Sequence, residues 1–206
     1  MTRQGRTGGH TAPAKGPVFV ITGPSGVGKG TLIRGLLERV PAVELSVSAT
    51  TRAPRPGERD GVDYHFLTDA EFDCRVAAGD FVEHASYSGQ RYGTLRSELR
   101  ARTEAGVPVV LEIEVQGARQ VREGMPEAIA VFIDPPSVEA LRARLVDRAT
   151  NTPEDVEARL ATARAELAAR DEFTHVVVND RLEAAIDELV GIVRSALAHA
   201  GVQGGE

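Results

Sequence analysis

Apolar residues along the chain follow two rhythms. Pro17–Thr22, Pro108–Ile113, Ala128–Ile133 and His175–Val178 are short, β-branched and apolar at consecutive positions. That is the pattern of strands covered on both faces. Longer stretches with apolar residues three and four apart follow them: Lys29–Val40, Val115–Gly124, Ser137–Arg148, Pro153–Arg170 and Leu182–Ala198. This is the period of a helix with one packed face. Alternating strands and helices predict an α/β fold, a central parallel sheet between two helical layers. In the last helix, Leu182, Ile186, Leu189, Val193 and Leu197 predict a core-facing stripe. Val138, Leu141 and Leu145 predict another.

The rhythm breaks between residues 43 and 95. Val43–Thr51 alternates, Arg52–Gly61 is charged and rich in Pro and Gly, and Tyr64–Leu67 and Phe81–Tyr87 are short strand candidates. These features predict a small β-rich insert. Thr68 and Glu71 have capping-box spacing ahead of Phe72. Ser137 is placed to cap one later helix, and Thr152, with Pro153 next, another. The expected organisation is a disordered tail over 1–16, a core of 17–42, 96–136 and 171–200, the insert over 43–95, and a separate helical region over 137–170.

Composition limits what this fold does. A formal net charge of −6 over 206 residues argues against a general nucleic-acid partner. No apolar run approaches a membrane span, and residues 1–16, rich in Gly, Thr and Arg, do not resemble a secretory signal. The tail reads as mobile, with a targeting arm as the alternative. Cys74 is the single cysteine, so no internal disulfide forms, and the 5 histidines make no ligand-spaced cluster. The expected location is the cytoplasm, with no membrane and no nucleic-acid partner; the oligomeric state is not legible. Among 24 basic side chains only Lys15 and Lys29 are lysines. Chemistry that needs an ammonium must use one of these.

Lys29 stands in the strongest motif. Gly23-Pro24-Ser25-Gly26-Val27-Gly28-Lys29-Gly30-Thr31 joins the first apolar strand to the first helix. Glycines let a backbone curl so that its N–H groups face phosphate oxygens, and a helix N-terminus adds positive potential there. The lysine adds a mobile cation for the outer phosphates. The pattern departs from G-x-x-x-x-G-K-[ST], because Gly30 stands where a hydroxyl usually binds Mg²⁺. Thr31, or water, remains to hold the ion. The fold class expected is therefore that of a P-loop NTPase.

Further motifs narrow the substrate. Ser46-Val-Ser48-Ala-Thr50-Thr51-Arg52-Ala-Pro54-Arg55-Pro-Gly57-Glu58, then Gly61-Val-Asp63-Tyr64-His-Phe66, resembles the signature of guanylate kinases. Phe81-Val-Glu83, Tyr92-Gly93-Thr94, Leu111-Glu112-Ile-Glu114-Val-Gln116-Gly117, Pro135-Pro136-Ser137 and Val178-Asn179-Asp180 continue it in order. The resemblance spans residues 17 to 198. It implies Mg²⁺-dependent transfer of the ATP γ-phosphate to GMP, and to dGMP, in purine metabolism and GMP recycling.

The resemblance also implies roles. Residues 23–31 and Asn179 would bind ATP. Arg52 and Arg55 would clamp the GMP phosphate, with Tyr64 and Tyr92 donating phenolic hydrogen bonds. Glu83 would accept both adjacent N–H groups of guanine, with Ser48 and Thr94 beside the base. Adenine offers an acceptor at N1, which a carboxylate there repels. Of Glu112 and Glu114, one would reach the Mg²⁺ water shell and the other the guanosine; Glu112, with Thr31, is the candidate for the metal. The helical region 137–170 would be a lid, with Arg144, Arg148 and Arg159 as lid arginines that neutralise the transferring phosphoryl group. The family usually has Arg-Gly-Thr where this chain has Arg148-Ala149-Thr150. Two other readings compete: a protein-binding scaffold, which has no need of Lys29, and a ribose-bisphosphate kinase, which has no use for Ser48, Glu83 and Thr94.

Overall fold

The computed structural model describes residues 15–87, 89–146 and 153–201, with side chains from Glu157 onward in the last segment. The elements run β1 (Val18–Thr22), α1 (Lys29–Arg39), β2 (Glu44–Leu45), β3 (Ala49–Thr50), β4 (His65–Phe66), α2 (Asp69–Ala78), β5 (Phe81–Tyr87), β6 (Gln90–Leu95) and α3 (Arg96–Glu104). Then come β7 (Val109–Glu112), α4 (Val115–Gly124), β8 (Ile129–Asp134), α5 (Val138–Val146), α6 (Pro153–Leu167), β9 (His175–Val178) and α7 (Leu182–His199). The tail up to Ala14, and Asp147, Arg148, Ala149 and Thr152, lie outside the described residues.

Strands β2, β7, β1, β8 and β9 form one parallel sheet in that order, with β1 central. Successive β1 side chains take opposite faces. Phe19 and Ile21 pack with Leu32, Ile33 and Leu36 of α1 and Leu189 of α7. Val18 and Val20 pack with Leu99 of α3 and Ala118 and Val121 of α4. The three expected layers are therefore present, and each fully buried side chain of this size contributes roughly 1.5–3 kcal/mol.

The insert forms a second sheet in the order β4, β3, β6, β5, antiparallel except for the β3–β4 pair. Its own core is Ala49, Phe72, Phe81 and Leu95, with Phe72 and Phe81 stacked at 4.5 Å. The capping box forms as the spacing predicts. Glu71 N–H donates to Thr68 Oγ1 at 3.2 Å, and Thr68 N–H donates to Glu71 Oε2 at 2.7 Å. Ser137 Oγ accepts from Ala140 N–H at 3.0 Å, capping α5.

Four features differ from expectation. Glu44 and Leu45 pair with Val109 and Val110, so β2 is the edge of the parallel sheet rather than part of the insert. Helix α3 carries a single buried residue, Leu99, and so shows no apolar period. Leu182 is 41% exposed, because it starts α7 before the packed part of the stripe, which holds Ile186, Leu189, Val193 and Leu197. Strand β7 stops at Glu112, one residue short of the expected Ile113, and Glu114 is the N-cap of α4.

Candidate functional site

The loop from Gly23 to Thr31 leaves the carboxyl end of β1 between neighbours β7 and β8. Ligands of open α/β sheets bind at such a point. Gly28 precedes α1 with φ +101°, and a Cβ there would lie 2.7 Å from Asn179 Nδ2. Glycine alone fits both demands. It supplies no side-chain cap to α1. The first N–H groups of the helix are thus left for an anion. Lys29 is 9% exposed, and its ammonium donates to the carbonyls of Gly23 at 2.6 Å and Pro24 at 3.3 Å. Glu114 Oε2 stands 4.0 Å from the same ammonium.

A cavity of about 270 Å³ opens beside the loop, lined by Lys29, Ser46, Ser48, Tyr64, Glu83, Tyr92, Glu112 and Glu114 among others. Lys29, Glu112 and Glu114 also line the cleft formed by Pro24–Thr31, so the two spaces meet at the lysine. Arg34 adds a cation to the loop's cleft, donating to Thr31 Oγ1 at 3.4 Å.

Glu83 lies on β5 and is 3% exposed. Burial pushes its carboxyl up to about 7, although Thr94 holds the charged form by hydrogen bonding. Thr94 Oγ1 donates to Glu83 Oε1 at 2.8 Å. Thr94 is itself fully buried, so here its hydroxyl orients the carboxylate instead of facing the cavity expected to hold the base. Glu112 meets solvent at the cleft floor, yet the surrounding protein raises its carboxyl while Lys29 opposes the rise.

Tyr64 and Tyr92 meet edge to face at 6.3 Å, and burial raises the Tyr64 phenol. The Arg52 guanidinium sits 5.1 Å over the Tyr64 ring. It binds Glu58 in bidentate fashion, at 2.9 Å to Oε2 and 2.8 Å to Oε1. This pair raises Arg52 and lowers Glu58 from their ordinary values. Glu58 Oε2 also accepts from Arg55 N–H at 2.7 Å, so one carboxylate orders both ends of the loop. The Arg55 side chain is exposed.

The expected lid residues divide. Arg144 donates to the carbonyls of Val27 at 3.1 Å and Asn179 at 2.8 Å. Asn179 is buried, and its amide donates to Val27 O at 2.8 Å. Both therefore brace the back of the phosphate loop. Arg159 is half-buried on α6 and lines neither cavity. Arg148 lies outside the described residues.

No group of three or more His, Cys, Asp or Glu among the described residues could hold a metal alone. The cleft instead offers Thr31 and the carboxylates of Glu112 and Glu114, all hard oxygens. Mg²⁺ is usually held by one or two carboxylates, substrate phosphates and water, so this donor set fits it.

A model of the guanylate kinase family matches residues 15–196. The chain belongs to the guanylate kinase family. It is 53% identical over 186 residues to a guanylate kinase of Mycobacterium leprae, covering 89% of each chain. It is 47% identical over 188 residues to one from Chromohalobacter salexigens, covering 91% of this chain and 85% of that one. The crystal structure of a guanylate kinase from Anaplasma phagocytophilum matches with a TM-score of 0.72 at 34% identity, over 90% of this chain and 88% of the other. Within this family frame, the geometry adds Arg34 and the buried Glu166, which lie outside the quoted motifs, and gives contacts to Glu58 and Gly117, which lie within them without an assigned role. Arg34 was visible as a cation one helical turn beyond Gly30, and Glu58 as an acid between arginines. The closeness of Gly117 to Glu83 and the burial of Glu166 depend on distant segments, which spacing does not reveal.

Proposed function

We propose that this guanylate kinase family enzyme transfers the γ-phosphoryl group of ATP to GMP, giving ADP and GDP, and accepts dGMP as well. The observation that carries the reading is the buried Glu83 carboxylate on a cavity that meets the phosphate loop at Lys29. An ionised carboxylate accepts both the N1 and N2 protons of guanine. Ser48 would lie beside the base, and Tyr64, Tyr92, Arg52 and Arg55 would hold the acceptor phosphate.

A GMP phosphate oxygen would attack the γ-phosphorus in line. The new P–O bond forms as the bond to the ADP oxygen breaks. No general base is needed, because the acceptor phosphate is already ionised. Lys29 would leave the Gly23 and Pro24 carbonyls for the triphosphate. The family's lid arginines, here Arg144, Arg148 and Arg159, would offset charge as the site closes against water. Thr31 and Glu112 would hold Mg²⁺ through oxygen or its water shell. When bound, the ion supplies charge neutralisation at the phosphate oxygens. No helix among the described residues is long and apolar enough to cross a membrane. The role proposed on the family likeness is in cytoplasmic purine metabolism and GMP recycling.

A coupled ADP-release assay with GMP, dGMP, AMP, CMP and UMP tests the reading. Turnover with the guanine nucleotides and not the others is expected. Turnover with none, or with AMP, would overturn it. A pure scaffold is disfavoured by the ordered Lys29 in its loop.

A further inference from the structure

Strand β5 is an edge of the insert sheet, with β6 on one side only. An edge strand leaves a backbone donor and acceptor unpaired at every second residue. His84 turns its pair toward α4, and Gln120 takes both groups. Gln120 Nε2 donates to His84 O at 2.7 Å, and His84 N–H donates to Gln120 Oε1 at 3.2 Å. A primary amide presents a donor and an acceptor in one plane, so it meets the edge as a neighbouring strand would. Its second N–H donates to Gln116 O of the same helix at 3.3 Å, which holds the amide in place.

The contact falls beside Glu83. That residue precedes His84, and Gly117, against which its carboxylate lies, is one turn before Gln120 on the same face of α4. The β5–β6 register shifts between Phe81 and Glu83, so the ladder is irregular just where the carboxylate leaves the strand. Gln120 supplies a fixed point on the opposite side. Helix α4 follows β7, which pairs with β1, the strand that leads to Lys29. Fixing β5 on α4 thus fixes Glu83 relative to the phosphate loop.

We propose that Gln120 is a positioning residue, which sets the place of Glu83 over the base by clamping the His84 peptide groups to α4. The inference deepens the reading that Glu83 takes both guanine N–H groups, and rests on it. Two parallel contacts to one carboxylate tolerate less displacement than one. A loosened β5 would therefore cost more affinity for GMP than for inosine monophosphate, which keeps the N1 proton and lacks the N2 amine.

The test measures GMP, inosine monophosphate and ATP by calorimetry in wild type, Gln120→Met and Gln120→Glu. Methionine keeps the length of the side chain and makes neither bond. Glutamate keeps the acceptor but turns a carboxylate oxygen to His84 O. In wild type, GMP should bind roughly 10- to 100-fold tighter than inosine monophosphate, the worth of one hydrogen bond to a charged group. In both variants this ratio should fall at least about fivefold, while ATP affinity stays within about twofold. Both should melt within a few degrees of wild type, because water reaches the half-buried His84 groups. A ratio unchanged in either variant, a loss shared by ATP, or a much lower melting temperature would overturn the proposal and leave Gln120 a brace of the fold. Wild type that binds GMP no tighter than inosine monophosphate removes the Glu83 reading itself. A wild-type preference that the variants keep removes Gln120 alone.

Discussion

Gly117, in the first turn of α4, lies against the Glu83 carboxylate of β5. A Cβ at position 117 would overlap Glu83 Oε2 and come 3.0 Å from its Cδ. The obstructed group is the end of a flexible side chain, so Gly117→Ala should leave the fold intact and displace the carboxylate. Displacement also breaks the 2.8 Å bond from Thr94. Affinity for GMP is expected to fall roughly 10- to 100-fold, as for other misplacements near 1 Å. Calorimetry with GMP and with ATP checks this: ATP binding and the melting temperature should barely move.

Glu83 also sets a pH dependence of opposite sign for stability and for binding. Its carboxyl titrates near 7 in the folded chain against an ordinary 4.5. Between these values the folded chain binds more protons than the unfolded one. The stability contributed by this group is therefore complete below the unfolded value and is lost as pH rises through about 7, by up to about 3 kcal/mol. The guanine recognition proposed for Glu83 needs the ionised form, so GMP affinity should rise over the same interval. In Glu83→Gln both dependences should flatten, with weaker GMP binding throughout. Urea unfolding and GMP calorimetry between about pH 5.5 and 8.5 measure them. The ionisation of the GMP phosphate is common to both proteins, so the difference isolates Glu83.

Sequence alone carried the parts where one local signal sufficed. The apolar run at Val18–Thr22, the loop glycines and the Thr68–Glu71 box all appear as read. It failed where a distant partner decides. Glu44–Leu45 is a two-residue strand with both side chains exposed, made a strand only by pairing with β7. Helix α3 is nearly all polar and is held through Leu99. Within the site, Glu83 was legible from its motif. The proximity of Gly117 and the burial of Glu166 depend on how α4 and α6 pack, which spacing does not encode. Arg144 and Asn179 were expected to face the nucleotide, but in this structure they spend their donors on loop carbonyls.

Arg52 depends on Glu58. The bidentate pair holds the guanidinium over Tyr64, while the same carboxylate caps Arg55 N–H. A planar fork matches a carboxylate or a phosphate equally, so Glu58 fixes where Arg52 would meet the proposed acceptor phosphate. In Glu58→Ala the loop loses this anchor, and KM for GMP should rise roughly tenfold. KM for ATP should hold, because Lys29 and α1 are not touched. Arg52→Lys should not restore GMP affinity in any background, since an ammonium cannot make the paired contacts. Steady-state kinetics with each substrate varied in turn separates these effects. A rise in both KM values would place Glu58 in general loop stability instead.

Gly30 leaves space for the hydroxyl that the motif lacks. A Cβ there would meet Glu112 Oε1 at 3.6 Å and Oε2 at 3.8 Å, ordinary contacts that require no shift. Gly30→Ser would therefore place its Oγ beside the carboxylate expected to face the Mg²⁺ water shell, next to Thr31. An added hard-oxygen ligand should lower the Mg²⁺ concentration for half-maximal turnover by about two- to fivefold. Replacing glycine within α1 should also stabilise the fold by about 0.5 kcal/mol. Mg²⁺ titration at fixed ATP and a thermal melt read the two effects independently. A stabilised variant with an unchanged Mg²⁺ requirement would mean that the ion sits away from position 30. Thr31 and Glu112 would then hold it through water alone.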